Sequence, residues 1–132
     1  MEKEIRENKK FMYWSLAVAW MMVIFFFSSI KGSGNHSYDL FYFLERKSFH
    51  VIEYFILAVL FFLSFSQSRP ITKALVFSAA LSFFYAISDE WHQTFVFGRE
   101  GTIRDVAIDL IGIALAVIFI IKFKNGKRRT KN

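Results

Sequence analysis

A chain of 132 residues that is 55% hydrophobic and 20% aromatic carries more apolar surface than a soluble domain of this length can bury. Its net charge of +6 is not the footprint of a nucleic-acid binder, because the basic residues cluster at the ends of the chain beside hydrophobic runs and no nucleic-acid motif accompanies them. The absence of cysteine excludes disulfides and thiolate metal sites.

The first ten residues form a basic segment with Lys3, Arg6, Lys9 and Lys10. Phe11 to Ile30 then runs without a charge, about the length a helix needs to span a bilayer core of ~30 Å. It exceeds a typical signal-peptide core and no small-residue cleavage site follows, so a retained anchor is expected. The 31–47 connection holds Gly-Ser-Gly-Asn and an aromatic stretch, residues 38–44, expected to lie along the membrane interface. A second segment is expected from Ser48 to Ser66 and a third from Ile71 to Ser88, with Pro70 between them. The uncharged part of the third, Ala74 to Ser88, is short enough to leave a re-entrant segment open. A fourth is expected from Val106 to Phe123, followed by a basic tail, 124–132, whose residues from Asn125 are expected to be disordered. The fold class expected is all-α: an integral membrane bundle of four transmembrane helices spanning residues 11–123.

Charge sets the direction of the bundle. With four crossings, the amino terminus, the 67–72 connection and the carboxyl terminus share a side. Counting Lys73 with that connection, this side holds 4 + 2 + 6 = 12 of the 17 Lys and Arg. The positive-inside rule therefore places both termini in the cytoplasm. Asp39, Glu45, Glu53, Asp89, Glu90, Glu100, Asp105 and Asp109 all fall towards the other side.

That acidic half is where function is expected. Ionisable groups at a bilayer edge are costly and point to a site by default. Lys47, His50 and Tyr54 share a helical face with Glu53 beside them. Ser78, Ser82, Tyr85 and Asp89 draw a polar stripe along the third segment. Asp105, Asp109, Gly112 and Ala116 draw another along the fourth, with Gly112 and Ala116 permitting close helix approach. His50 with Glu53 reads as a structural hydrogen bond, a proton-transfer pair or metal ligands. Arg99 reads as an ion-pair partner of Asp89, Glu90 or Asp105, or as a clamp for phosphate or carboxylate. Asp89 and Glu90, at a helix C-terminus, oppose the macrodipole and call for a compensating cation. Asp105 suits a helix N-cap, Asp109 lies deeper, and His92 reads as an interfacial side chain. No Gly-rich phosphate loop, Gly-x-Ser-x-Gly or His-Glu-x-x-His motif is present.

His50-Val-Ile-Glu53-Tyr54, then Asp89-Glu90-Trp-His-Gln93-Thr-Phe95-Val-Phe-Gly98-Arg99, then Asp105-Val-Ala-Ile-Asp109-Leu-Ile-Gly112 resemble, in this order, the VanZ-like membrane proteins. The resemblance covers roughly residues 14 to 121. It implies a multi-helical protein of the bacterial cell membrane, in a family whose founding members are linked to low-level teicoplanin resistance. The chain departs from the family pattern at Phe97, where many members have Pro, and at Asp109, where many have Asn.

The function expected is recognition or modification of an anionic envelope lipid or cell-wall precursor in an outward-facing polar pocket. His50 and Glu53 are the acid–base pair, with Asp89, Glu90 and Asp109 positioning them or a cation. Arg99, Gln93, Tyr54 and Asp105 contact the substrate. The cofactor stays open: two His and several carboxylates are compatible with a divalent cation, although their spacing selects no particular ion. The rival classes are a proton-coupled lipid or ion transporter and a non-catalytic assembly partner for other envelope proteins.

Overall fold

The computed structural model describes residues 1–32, 40–99 and 101–129, with backbone alone for 40–46, 128 and 129. Four helices follow in order: α1 (Glu2–Ser29), α2 (Leu40–Ser66), α3 (Ile71–Gln93) and α4 (Ile103–Arg129). Each is long and apolar enough to cross a membrane. The chain is a multi-pass, all-α membrane protein.

All four helices outrun their apolar segments. α1 begins in the basic segment, where Glu2 and Glu4 occupy the first turn and favour its positive end. α2 starts at Leu40 rather than near Ser48, while the side chains of the aromatic 38–44 stretch lie outside the described residues. α3 is one continuous helix of 23 residues, about 34 Å long at 1.5 Å per residue, so no re-entrant break occurs in it. Its last turn takes in Asp89 to Gln93, which the apolar pattern leaves outside the segment. α4 continues to Arg129, so helix replaces most of the disorder expected after Asn125. Lys and Arg are good helix formers and suit a helix C-terminus.

α2 and α3 each pack on all the other helices, whereas α1 and α4 do not meet among the described residues. The α2 core stripe is Tyr54, Leu57, Ala58 and Phe61, spaced for one helical face. Small buried residues on α3, namely Ala74, Ser78, Ser82 and Ala86, admit close neighbours. Trp14 of α1 closes the other end of the core with its ring 5.2 Å from Phe65 and 5.8 Å from Phe61. The outward faces remain apolar: Phe11, Phe26, Val76, Phe84 and Ile111 are all exposed, as lipid contact requires.

This up-and-down order brings the end of α1, the early turns of α2, the end of α3 and the start of α4 to one end of the bundle. Two loops are pinned together there. The Gly32 N–H donates to the Phe97 carbonyl at 3.0 Å. Gly98 has a φ of +73°, a conformation that a side chain disfavours. A Cβ on Gly98 would also fall 2.7 Å from the Gly32 carbonyl oxygen.

Candidate functional site

α2 and α4 supply half of the polar end. The Gly112 face of α4 lies against the α2 backbone so closely that an added Cβ would sit 2.3 Å from the Val51 carbonyl oxygen. One turn earlier on α4, Asp109 therefore reaches His50, with Oδ1 3.2 Å from Nδ1. Asp109 is fully buried and His50 nearly so. The contact is close but is not aligned as a hydrogen bond, and Asp109 Oδ2 has no hydrogen-bond partner among the described residues. A further turn towards the membrane surface, Lys47 and Asp105 form an ion pair between the same helices.

α1 and α3 supply the other half. Asp89 accepts hydrogen bonds on Oδ2 from the Ser28 hydroxyl (2.8 Å) and the Gln93 amide (3.0 Å), while its Oδ1 is buried without a hydrogen-bond partner among the described residues. The Gln93 amide also donates to Glu90 Oε1 at 3.3 Å. Glu90 Oε2 accepts the backbone N–H of Thr102 at 3.1 Å, tying the end of α3 to the start of α4. His92 faces α1, with Nε2 3.0 Å from Ser29 Oγ and its ring stacked on Phe25 at 4.4 Å.

Arg99 ties the loop after α3 to the end of α1. Its guanidinium donates to the carbonyl oxygens of Phe27 (2.6 Å) and Ile30 (2.9 Å) and to Gln93 Oε1 (3.3 Å). It thus caps the carbonyls at the C-terminal end of α1, where a cation also meets the negative end of the helix dipole. An ion pair with Asp89, Glu90 or Asp105 is not among these contacts.

Asp105 is likewise not the cap of its helix. Thr102 occupies that position, and its hydroxyl accepts the Asp105 backbone N–H at 3.3 Å. The Asp105 carboxylate is left for Lys47. Glu53 is half-buried within electrostatic reach of His50, Asp89 and Asp109, and its backbone carbonyl accepts the Trp20 indole N–H at 2.9 Å. His50 pairs with Asp109 across the bundle rather than with Glu53 along its own helix. Tyr54 is fully buried and its hydroxyl has no partner among the described residues.

The structure therefore gathers His50, Glu53, Tyr54, Asp89, Glu90, Gln93, Asp105 and Asp109 at one end of the bundle, with Arg99 at its rim. Sequence reasoning missed Ser28, Ser29 and Thr102. Thr102-Ile-Arg-Asp105 carries the Ser/Thr-x-x-acid pattern of a helix start and was legible. Ser28 and Ser29 close an otherwise apolar run, but nothing local assigns them partners 61 and 63 residues away.

Chemically, the cluster is an excess of carboxylate in a dry setting. Glu53, Asp89, Glu90, Asp105 and Asp109 share the space with Lys47, Arg99 and His50. Burying ionised carboxylates without matching charge is costly. The arrangement can hold and exchange protons. It can also accept a cation: one donor atom each from His50, Glu90 and Asp109 all lie within 4.8 Å of one another.

A family model described as VanZ/LLP1 matches residues 13–124. No curated protein and no solved structure matches the chain.

Proposed function

Since the chain belongs to the VanZ/LLP1 family, we propose that it is a bacterial cell-membrane protein that binds an anionic envelope lipid or lipid-linked cell-wall precursor and acts on its head group by proton transfer. Both termini lie in the cytoplasm and the polar end opens outward. The observation that carries this reading is the His50–Asp109 pair, buried at the mouth of a bundle whose other faces meet lipid. An imidazole beside a carboxylate is suited to acid–base work near neutral pH. Glu53 and Asp89, around the same pair, hold further exchangeable protons.

A lipid is favoured over a soluble substrate by what lies beside the cluster. A shallow apolar groove of about 590 Å³ runs between α1 and α3, lined by Val18, Met22, Phe25, Phe26, Ser29 and Tyr85. Its polar end is Ser29, the partner of His92. An acyl chain in this groove brings its head group to the α1–α3 side of the cluster. Transport is less well supported. Of the hydroxyls that reach towards the middle of the bundle, Ser78 and Tyr85 donate to the Leu75 and Met21 carbonyls, and the buried Ser82 hydroxyl has no hydrogen-bond partner among the described residues.

The test is lipid retention by the purified protein in detergent, read by native mass spectrometry. An anionic glycerophospholipid and an isoprenoid phosphate are each compared with a zwitterionic lipid of equal chain length. Saturable preference for either anionic lipid, lost when Phe25 and Met22 are replaced by polar residues, is expected. Equal retention of all three overturns the reading.

A further inference from the structure

A cluster of carboxylates repels a phosphate or carboxylate head group unless positive charge stands between them. Lys47 is engaged with Asp105, and Arg99 with the end of α1. Among the groups that converge, Asp109 is fully buried with an oxygen that has no hydrogen-bond partner among the described residues.

We propose that His50, Glu90 and Asp109 form a site for a single divalent metal ion of the zinc or manganese class. The three donors come from three helices, α2, α3 and α4, and all three residues are buried. Their donor atoms lie within 4.8 Å of one another. Ligands bound at 2.0–2.2 Å around a tetrahedral ion stand roughly 3.3–3.6 Å apart, so the donors must draw in by about an ångström, within the reach of side-chain rotation, to close the set.

Three further observations point to a ligand rather than to a self-sufficient ion network. Asp109 is fully buried, yet its Oδ2 has no hydrogen-bond partner among the described residues, and its Oδ1 meets His50 at 3.2 Å without hydrogen-bond alignment. The Asp89 Oδ1 and the Tyr54 hydroxyl, close by, are also buried and unpartnered. Buried polar atoms are ordinarily satisfied, so an accumulation of exceptions at one place marks a missing partner. Finally, Glu90 is already oriented by the Gln93 amide and the Thr102 N–H, in the way that hydrogen bonds to a ligating carboxylate fix its direction.

The donor set decides the class of ion. One imidazole with carboxylates is softer than the all-oxygen shell preferred by magnesium and calcium, and no thiolate is available for a closed structural zinc site. Three protein ligands leave positions open, as in sites that work on a bound molecule. The role given to the ion, bridging the carboxylates to an anionic head group, rests on the lipid reading above. Binding of the ion itself does not.

The experiment therefore omits lipid. Purified protein is stripped with chelator in detergent and titrated with Zn²⁺, Mn²⁺, Mg²⁺ and Co²⁺ by calorimetry, with the visible absorption of bound Co²⁺ followed in parallel. One Zn²⁺ or Co²⁺ per chain is expected, with a Co²⁺ spectrum of mixed nitrogen and oxygen ligation and much weaker binding of Mg²⁺. His50→Gln, Glu90→Gln and Asp109→Asn are each expected to weaken Zn²⁺ binding by at least about 100-fold, since even the supporting partners of metal ligands are worth 10–100-fold. His92→Gln, outside the donor set, should bind like the native chain. The proposal is overturned if the native protein shows no saturable Co²⁺ band, or if Zn²⁺ binding survives Asp109→Asn and Glu90→Gln unchanged. The Co²⁺ spectrum of the native chain decides the matter even if a variant fails to fold. Metal binding without anionic-lipid preference would sink the lipid reading and leave the metal site standing.

Discussion

Gly112 and Val51 set the spacing on which the polar end depends: a Cβ on Gly112 would lie 2.3 Å from the Val51 carbonyl oxygen. Val51 follows His50 in α2 and Gly112 lies three residues beyond Asp109 in α4, so this backbone approach brings those two side chains together. Backbone cannot yield to a Cβ as a flexible side chain can. Gly112→Ala should separate the helices and cost about 1–3 kcal/mol of stability, the usual range for overpacking. Thermal unfolding in detergent measures this, and an unchanged melting temperature would show that the helices slide apart without loss.

Arg99→Lys should destabilise the protein nearly as much as Arg99→Ala. The guanidinium meets Phe27, Ile30 and Gln93 through three different nitrogens, and a lysine ammonium cannot reproduce that fork. Each hydrogen bond from a charged group contributes about 1.5–3 kcal/mol, so a fall of several degrees in melting temperature is expected for both variants. Limited proteolysis near the end of α1 should also increase. Native-like stability in the lysine variant would reduce Arg99 to a generic cation.

The orientation is testable because the chain has no native cysteine. Single cysteines at Ser68, Thr94 and Asn125 sample the two ends of the bundle. A membrane-impermeant thiol reagent should label Thr94→Cys in intact cells, and should label Ser68→Cys and Asn125→Cys only after lysis. The opposite pattern would invert the bundle and place the polar cluster in the cytoplasm.

The four helices were legible because lipid-facing surface forces long uncharged runs, and these depend on local composition alone. Their ends were less legible. Asp89 to Gln93 is too polar to read as part of a span, yet it forms the last turn of α3 because its acids are buried against Ser28 and Thr102 rather than in lipid. The convergence of His50, Asp89 and Asp109 at one end of the bundle was visible in their helical spacing. Their pairing was not. His50 has Glu53 three residues away on its own helix, but meets Asp109 on another, because the contact at Gly112 brings α4 closer than any local pattern reports. The hydrogen-bond partners of Arg99 were hidden for a related reason: acidic residues flank it in sequence, whereas the carbonyls that accept its hydrogen bonds, at the end of α1, lie 69 and 72 residues earlier.

The central claim is that His50 and Asp109 belong to a functional site and are not scaffold, and one comparison tests it. His50→Gln, Asp109→Asn and the double variant are expressed at equal membrane abundance. Each is scored for saturable preference for an anionic lipid in detergent and for melting temperature after purification. Residues that act as a unit are non-additive, so each single variant should abolish that preference and the double should lose nothing more. Asp109 is a fully buried carboxyl with an oxygen that has no hydrogen-bond partner among the described residues. Asparagine in its place should therefore leave the melting temperature unchanged or raise it while function is lost. If the pair is scaffold, breaking it should instead cost about 3–5 kcal/mol, as for other buried ion pairs. Lipid preference that falls only in proportion to folded protein, with a large drop in melting temperature for Asp109→Asn, would contradict the account.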